Sequence, residues 1–324
     1  MPTASPLVVS LAQIAPVWLD RDATVAKVAH WVAQAAAAGS RLVAFGEALA
    51  PGYPFWIEHT EGARFESALQ KALFAHYAEQ AVDLTRDDLA PVRAAARQGR
   101  LWVALGCIER ARERGHSLYC SLVLIDDHGE IRNVHRKLMP TYEERLVWSP
   151  GDGQGLQCFA LDGFTLGGLN CWENWMPLAR SALYAQGEDL HIAVWPGNAN
   201  NTADLTRHLA REGRSYALSV SGLLRREDIP AHLPHADILR AALPEVSANG
   251  GSCIAAPTGE WLLPPCVGEE KLMVAELDPA VVRGERQNFD PFGHYSRPDV
   301  LELQVNRGRP CGARFRDDAP TSSG

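Results

Sequence analysis

The first patterned stretch, LVVSLAQIAP, is apolar for most of its length and reads as an opening strand ended by Pro16. Asp20 is placed to cap the helix that follows, in which Val25, Val28, Ala29, Val32 and Ala36 recur at helical spacing. Gly39 breaks that periodicity. RLVAFGE (41–47) then reads as a second strand, with Glu47 just beyond its apolar part. Two strands flanking a helix of this length predict an α/β layer.

APGYPFW, with two prolines and a glycine in seven residues, is a loop. A helical stretch covers roughly 63–82, and another begins near Thr85, a candidate N-cap, and leads into the strand LWVALGCIER. SLYCSLVLIDDHGEIRNVHRKL predicts strand, tight turn at DDHGE and strand, and SCIAAPTGEWLLPP repeats that arrangement. Between the hairpins lie the polar TYEERLVWSPGDG, the strand FTLGGLN, a helix over Met176–Gln186 stopped by Gly187, and the strand LHIAVWPG (190–197). HLAREGRSYALSVSG reads as helix passing into strand, EDIPAHLPHADIL as a surface excursion and EKLMVAELD as a last strand. Neither repeat nor linker interrupts the pattern, so residues 1–306 read as one domain and 307–324 as a polar, disordered tail.

Composition narrows the classes. The 324 residues carry 31 basic and 39 acidic side chains, a formal charge of -8, and no basic tract, which argues against nucleic-acid or anionic-lipid partners. MPTASPLVVSLAQIAP lacks the features of an export signal, and no apolar run approaches a membrane span, so the expected location is the cytoplasm. The cysteines at 107, 120, 158, 171, 253, 266 and 311 form no CxxC pair, and an odd number argues against a disulfide framework.

Four predicted strands end in loops carrying reactive or constrained residues: Glu47, Lys137, Cys171 and the turn after Trp195. Ligands of open α/β proteins collect at the carboxyl ends of strands, which groups these positions. In FTLGGLNCWENWMPLAR, a strand ends at asparagine and Cys171 precedes a helix, as in a nucleophile elbow. The same position also suits a small buried filler. A nucleophilic thiol needs a base. Of the histidines, His135 sits in a polar hairpin end, His191 starts a strand, and His232 and His235 fall in the surface excursion. Glu47 is the other candidate, provided burial raises its pKa, and Lys137 at an apolar strand end is either a snorkelling surface lysine or a buried partner for acids.

Taken together, AFGEALAPGYPFW, HRKLMPTYEERLVW and GGLNCWENWMPLAR resemble the nitrilase superfamily of carbon–nitrogen hydrolases. PTYEERLVWSPGDG, the CWE triplet, VWPG and FGHYSRPDV resemble its true nitrilase branch more than its amidases or carbamoylases. The resemblance runs from about residue 6 to residue 305. It departs at Asn174, where many nitrilases have histidine, and at VWSPGDG, where relatives often read VWGQGDG.

The resemblance implies an α-β-β-α sandwich, with two subunits packed into an α-β-β-α-α-β-β-α block and further homo-oligomers built from such dimers. The helices at 175–186 and 206–217 are candidates for the contact. It implies Glu47 as base, Lys137 as stabilising cation, Cys171 as nucleophile and Glu144 as an additional acid, with no metal or organic cofactor. Tyr53, Phe55, Trp56, Trp172 and Trp195 are candidate pocket walls, while Glu173 and Asn174 support the elbow. The implied substrate is a small-molecule nitrile, whether aromatic, arylaliphatic or aliphatic. An amidase or a cyanide hydratase or dihydratase would use the same residues, and a catalytically silent scaffold would keep the fold alone.

Overall fold

The computed structural model describes residues 5–310 and 313, so the expected tail lies, from 311 onward apart from Ala313, outside the described residues. The chain begins with five strands: β1 (Leu7–Gln13), β2 (Leu42–Phe45), β3 (Trp102–Arg110), β4 (Leu118–Ile125) and β5 (Ile131–Arg136). Seven more follow: β6 (Phe159–Leu161), β7 (Phe164–Asn170), β8 (Leu190–Trp195), β9 (Tyr216–Ser221), β10 (Leu223–Arg225), β11 (Val246–Ala255) and β12 (Trp261–Val267). The last, β13 (Lys271–Leu277), returns to the first sheet, whose order is β13-β1-β2-β3-β4-β5. The second sheet runs β10-β11-β9-β8-β7-β6, with β12 also paired to β11.

Helices flank both sheets: α1 (Arg21–Ala37), α2 (Trp56–His59), α3 (Ala68–Gln80), α4 (Ala90–Gly99), α5 (Pro177–Tyr184), α6 (Ala199–Gly213), α7 (Ala236–Ala242) and α8 (Pro279–Glu285). The inner faces of the sheets meet in one apolar layer, where Leu11, Ala44 and Leu122 join Leu166, Ile192 and Leu218. Val25, Val28 and Val32 of α1 and Val92 and Ala96 of α4 cover the outer face of the first sheet. Leu205 and Leu209 of α6 and Leu183 of α5 cover the second. The result is the expected α/β sandwich of two sheets between helices.

Strand direction positions the site. β1, β2 and β3 are parallel, and the β3–β4–β5 meander returns β5 to the same direction, so β2 and β5 end on one edge. β7, β8 and β9 are likewise parallel. The Glu47 N–H donates to the Trp195 carbonyl at 3.0 Å, which joins the carboxyl-end edges of the two sheets.

Several local expectations need correction. The first α3 turn begins at Ala68, because the Ser67 hydroxyl caps it by accepting the Gln70 N–H, and the preceding residues form turns. Asp83 rather than Thr85 caps, over a short 3-10 turn, and α4 starts only at Ala90. α6 is capped by Asn198 and ends at Gly213 with Arg214 left-handed, so a helix over 206–217 is not formed to its end. The expected surface excursion buries Ile229, Leu233, Ala236 and Leu239 in one cluster with Trp56 and Ile57; this helical spacing is interrupted by Pro230 and Pro234. Both hairpin turns do form, closed by Gly129 and Gly259 N–H groups on the Asp126 and Ala256 carbonyls.

Candidate active site

Cys171 follows the last residue of β7 and opens a 3-10 turn, Cys171–Trp175. Its φ is 45, a left-handed conformation that costs an L-residue roughly 1–2 kcal/mol and must be held by its surroundings. Ala48, next to Glu47, has φ 52, and Tyr142, opening the turn that carries Glu144, has φ 45. Side chains leave the sheet edges through these turns. Gly106 of β3 lies beneath Glu47, where a Cβ would run into the Gly46 carbonyl and the Glu47 backbone.

The turns bring four predicted residues together. Lys137 Nζ lies 3.0 Å from Glu47 Oε1 and 2.8 Å from Glu144 Oε2. Ligand-type atoms of Glu47, Glu144 and Cys171 all lie within 4.8 Å of one another. Glu47, Lys137, Glu144 and Cys171 are each at least 97 % buried, their exposures being 2%, 1%, 2% and 3%. Such a grouping of acids and thiol has the spacing of a metal site. Here the charge compensation that a divalent cation would give the carboxylates comes from the Lys137 ammonium.

The cluster raises the pKa of three of its members, for different reasons. Burial pushes the Glu47 carboxyl up to about 7, against the opposing pull of Lys137 and with the help of Glu144. Neither Glu47 oxygen has a well-directed hydrogen bond, although the Lys137 charge is adjacent; the contact is ionic, with the donor poorly aligned. Burial and the neighbouring Glu47 also raise the Cys171 thiol well above its ordinary range. Burial works against the Lys137 charge, but Cys171, Glu47 and Glu144 outweigh it and hold the ammonium well above the usual lysine value. The arrangement can therefore offer a thiol, a carboxylate of unusually high basicity and a fixed cation at one point.

Glu144 is more firmly tied. Its Oε2 accepts from Lys137 Nζ and from the Thr141 N–H at 2.6 Å, while Oε1 accepts from the Tyr53 hydroxyl at 2.9 Å. Tyr53 in turn packs edge-on against Trp148, whose ring lies 5.5 Å from Lys137 Nζ. Trp195 shares an apolar cluster with Cys171 and donates its indole N–H to Ser219. Trp56 packs with Trp18 and Tyr77. Trp172 is half-exposed, beside the exposed Trp175, Met176 and Leu178.

Glu173 joins two strand ends. It accepts the Leu138 N–H at 2.6 Å, next to Lys137, and the Asn170 N–H at 2.8 Å, next to Cys171. His135 Nε2 lies 3.1 Å from both of its oxygens. Burial would raise this carboxyl, but His135 and the two backbone donors hold it below its usual value. His135 is thus buried rather than in a polar hairpin end; its place on β5 two residues before Lys137 is the available signal. Trp148 and Cys120, whose carbonyl accepts the Lys137 N–H at 2.7 Å, also escaped sequence reasoning, since only the fold brings them to the site.

Two sheets sandwiched by helices, with acid, lysine and thiol converging at their joined strand ends, define a hydrolase built for covalent thiol chemistry. The chain belongs to the carbon–nitrogen hydrolase family, whose model matches residues 8–287. It is accordingly an enzyme of the nitrilase superfamily. It is 39% identical to a nitrilase of Pseudomonas syringae pv. syringae (strain B728a), over 98% of this chain and 95% of the relative. Nitrilase 2 of Arabidopsis thaliana is 34% identical, with 92% and 88% covered. Among solved structures, a carbon–nitrogen hydrolase from Helicobacter pylori G27 shares the fold at TM-score 0.67 and 19% identity, covering 91% of this chain and 96% of that one. An amidase of Nesterenkonia AN1 shares it at TM-score 0.63 and 20% identity, with 89% and 97% covered.

Proposed function

We propose that the enzyme hydrolyses an organic nitrile to a carboxylic acid and ammonia, consuming two waters. The observation that carries this reading is the buried Glu47–Lys137–Glu144 ion cluster beside the Cys171 thiol, in a chain whose curated relatives include nitrilases. Glu47 takes the thiol proton as sulfur bonds to the nitrile carbon, and Lys137 supports the nitrogen as it gains a proton. The product is a thioimidate. Water activated by Glu47 adds to give a tetrahedral intermediate, which expels ammonia and leaves a thioester. A second water breaks the C–S bond, releasing the acid and restoring the thiol. Glu144 orients Lys137, and Tyr53 orients Glu144.

Tyr53 and Trp195, beside Glu144 and Cys171, are the assigned pocket walls and favour an apolar substituent, aromatic or aliphatic. Trp172, with Trp175, Met176 and Leu178, forms an exposed apolar face at the start of α5, which supports pairing of subunits through this helix. Six free thiols among the described residues suit work in a reducing cytoplasm. No helix among the described residues is long and apolar enough to cross a membrane.

The test is product-resolved turnover of phenylacetonitrile, benzonitrile, an aliphatic dinitrile, inorganic cyanide and the matching amides. Acid and ammonia released together from an organic nitrile support the reading. Turnover of amides alone makes the enzyme an amidase, and faster consumption of cyanide makes it a hydratase or dihydratase.

A further inference from the structure

Against the backbone of the nucleophile runs a second buried polar chain. Asn174 donates through Nδ2 to the carbonyl of Cys171 at 2.9 Å and to that of Leu169 at 3.3 Å. Its Oδ1 meets His191 Nε2 at 2.7 Å, and His191 Nδ1 meets Glu188 Oε1 at 2.8 Å. Asn174, His191 and Glu188 are all buried, on three different segments: the turn after Cys171, the start of β8 and the loop before it.

The donor and acceptor pattern fixes the Asn174 amide and one hydrogen of His191. Carbonyl oxygens only accept, so the end of the Asn174 amide facing Cys171 and Leu169 is the NH2 end. Its oxygen therefore faces His191, and Nε2 of His191 must carry a hydrogen. At the far side the 2.8 Å contact between Nδ1 and the Glu188 oxygen holds one further hydrogen, carried either by an imidazolium facing a carboxylate or by a carboxyl facing the neutral ring.

Space has been cleared for this contact. A Cβ on Gly167 of β7 would run into Glu188 Oε1, so the strand that ends at the nucleophile is thinned where the carboxylate lies. The other Glu188 oxygen, fully buried, has no hydrogen-bond partner. A carboxylate so placed is poorly suited to adding stability, because its desolvation is only half compensated.

We propose that Glu188 and His191 are positioning residues for the nucleophile, acting through Asn174 to hold the Cys171 carbonyl. The left-handed backbone at Cys171 decides where the sulfur points, and that carbonyl is the handle by which the conformation is held. Arg180 Nη1 donates to the Asn174 carbonyl at 2.7 Å, anchoring the same turn from α5. This proposal rests on Cys171 being the nucleophile.

The experiment compares His191→Phe, Asn174→Leu and Glu188→Gln with the parent and with Cys171→Ala. The readouts are kcat and KM on a turned-over nitrile, melting temperature, and the rate of iodoacetamide alkylation mapped by mass to Cys171. His191→Phe and Asn174→Leu keep volume but remove the link. Each is expected to lower kcat about 10- to 100-fold per folded molecule, with KM little changed and Cys171 alkylation slowed in parallel. Glu188→Gln still offers a partner to Nδ1 and preserves the Nε2 hydrogen, so its loss is about threefold or less. Should His191→Phe fail to fold, Asn174→Leu reads the same link.

Parent-like kcat and alkylation in either folded variant, even with a lowered melting temperature, overturn the proposal, leaving the chain a packing feature. An active Cys171→Ala removes the nucleophile reading and the positioning proposal with it. An inactive Cys171→Ala beside a parent-like His191→Phe removes the positioning proposal alone.

Discussion

Arg136 and Lys137 are consecutive, both buried, and each sits among carboxylates, yet they define two different kinds of charge cluster. The Arg136 guanidinium donates through Nε and Nη2 to both oxygens of Glu109 at 2.8 and 2.6 Å, and through Nη2 to Glu113 at 2.9 Å. Ser121 donates to the same Glu109 oxygen, and the Tyr119 ring lies 4.3 Å from the guanidinium carbon. Burial opposes the Arg136 charge, but Glu109 and Glu113 outweigh it and raise its pKa further. Both Glu109 oxygens accept directed hydrogen bonds, while Arg136 Nη1 stands 3.9 Å from Asp152. On the next residue, Lys137 compensates two carboxylates but leaves both Glu47 oxygens without a directed hydrogen bond. The Glu109 oxygens are saturated, and the unspent acceptor capacity of Glu47 distinguishes the cluster proposed to react.

The strongest way to break this comparison is at the sulfur. Cys171→Ala is expected to lower nitrile turnover by at least about 10⁴-fold with the melting temperature little changed, because the proposed intermediate is covalent. Retained activity would remove the nucleophile assignment. Lys137→Met should follow, with a loss of at least about 10³-fold. Adding it to Cys171→Ala should cost almost nothing more, since the residues act as a unit.

Arg136→Met sharpens the contrast from the other side. It strands the buried Glu109 carboxylate, and the expected loss is about 3–5 kcal/mol of stability by denaturant titration. Turnover per folded molecule should stay within about threefold of the parent. A loss of turnover comparable to that of Lys137→Met would erase the distinction between the clusters. Glu173→Gln is intermediate. It replaces one of the two accepting oxygens with an NH2 donor facing a backbone N–H, at a cost of about 1–3 kcal/mol, and should lower kcat about tenfold by loosening both strand ends.

Much of this architecture was legible in the chain because its signals are local. Val25, Val28 and Val32 announce the α1 face, and the DDHGE and PTGE turns announce their hairpins. Glu47, Lys137 and Cys171 could be grouped because parallel strands deliver their carboxyl ends to one edge, a rule that needs no coordinates. Glu144 was found by resemblance, since a glutamate in a polar run carries no signal of burial. His135, Trp148 and the Glu188–His191 pair stayed hidden for a different reason. A histidine beside charged residues reads as exposed until a carboxylate from another strand is placed against it. The 227–239 segment reads as surface because its prolines break the periodicity that its buried Ile229, Leu233 and Leu239 keep.

The smallest effect concerns the position of a titration. Burial and Glu144 keep the Glu47 carboxyl protonated up to about 7, so the form proposed to accept the thiol proton is lost as pH falls through that value. kcat/KM should have an acid limb centred near 7, belonging to the coupled cluster rather than to one residue. Because Glu144 raises Glu47, the residual activity of Glu144→Gln should show that limb at lower pH. The stability linkage has a definite sign. Between the ordinary value of 4.5 and about 7, the folded protein holds a proton that the unfolded chain releases, so this group favours folding at low pH and less so as pH rises. The stability of the parent relative to Glu47→Gln should therefore decline across that window, measured by denaturant titration at each pH. A difference that grew with pH would mean that Glu47 is held ionised by Lys137, and the two clusters would then be alike in their electrostatics.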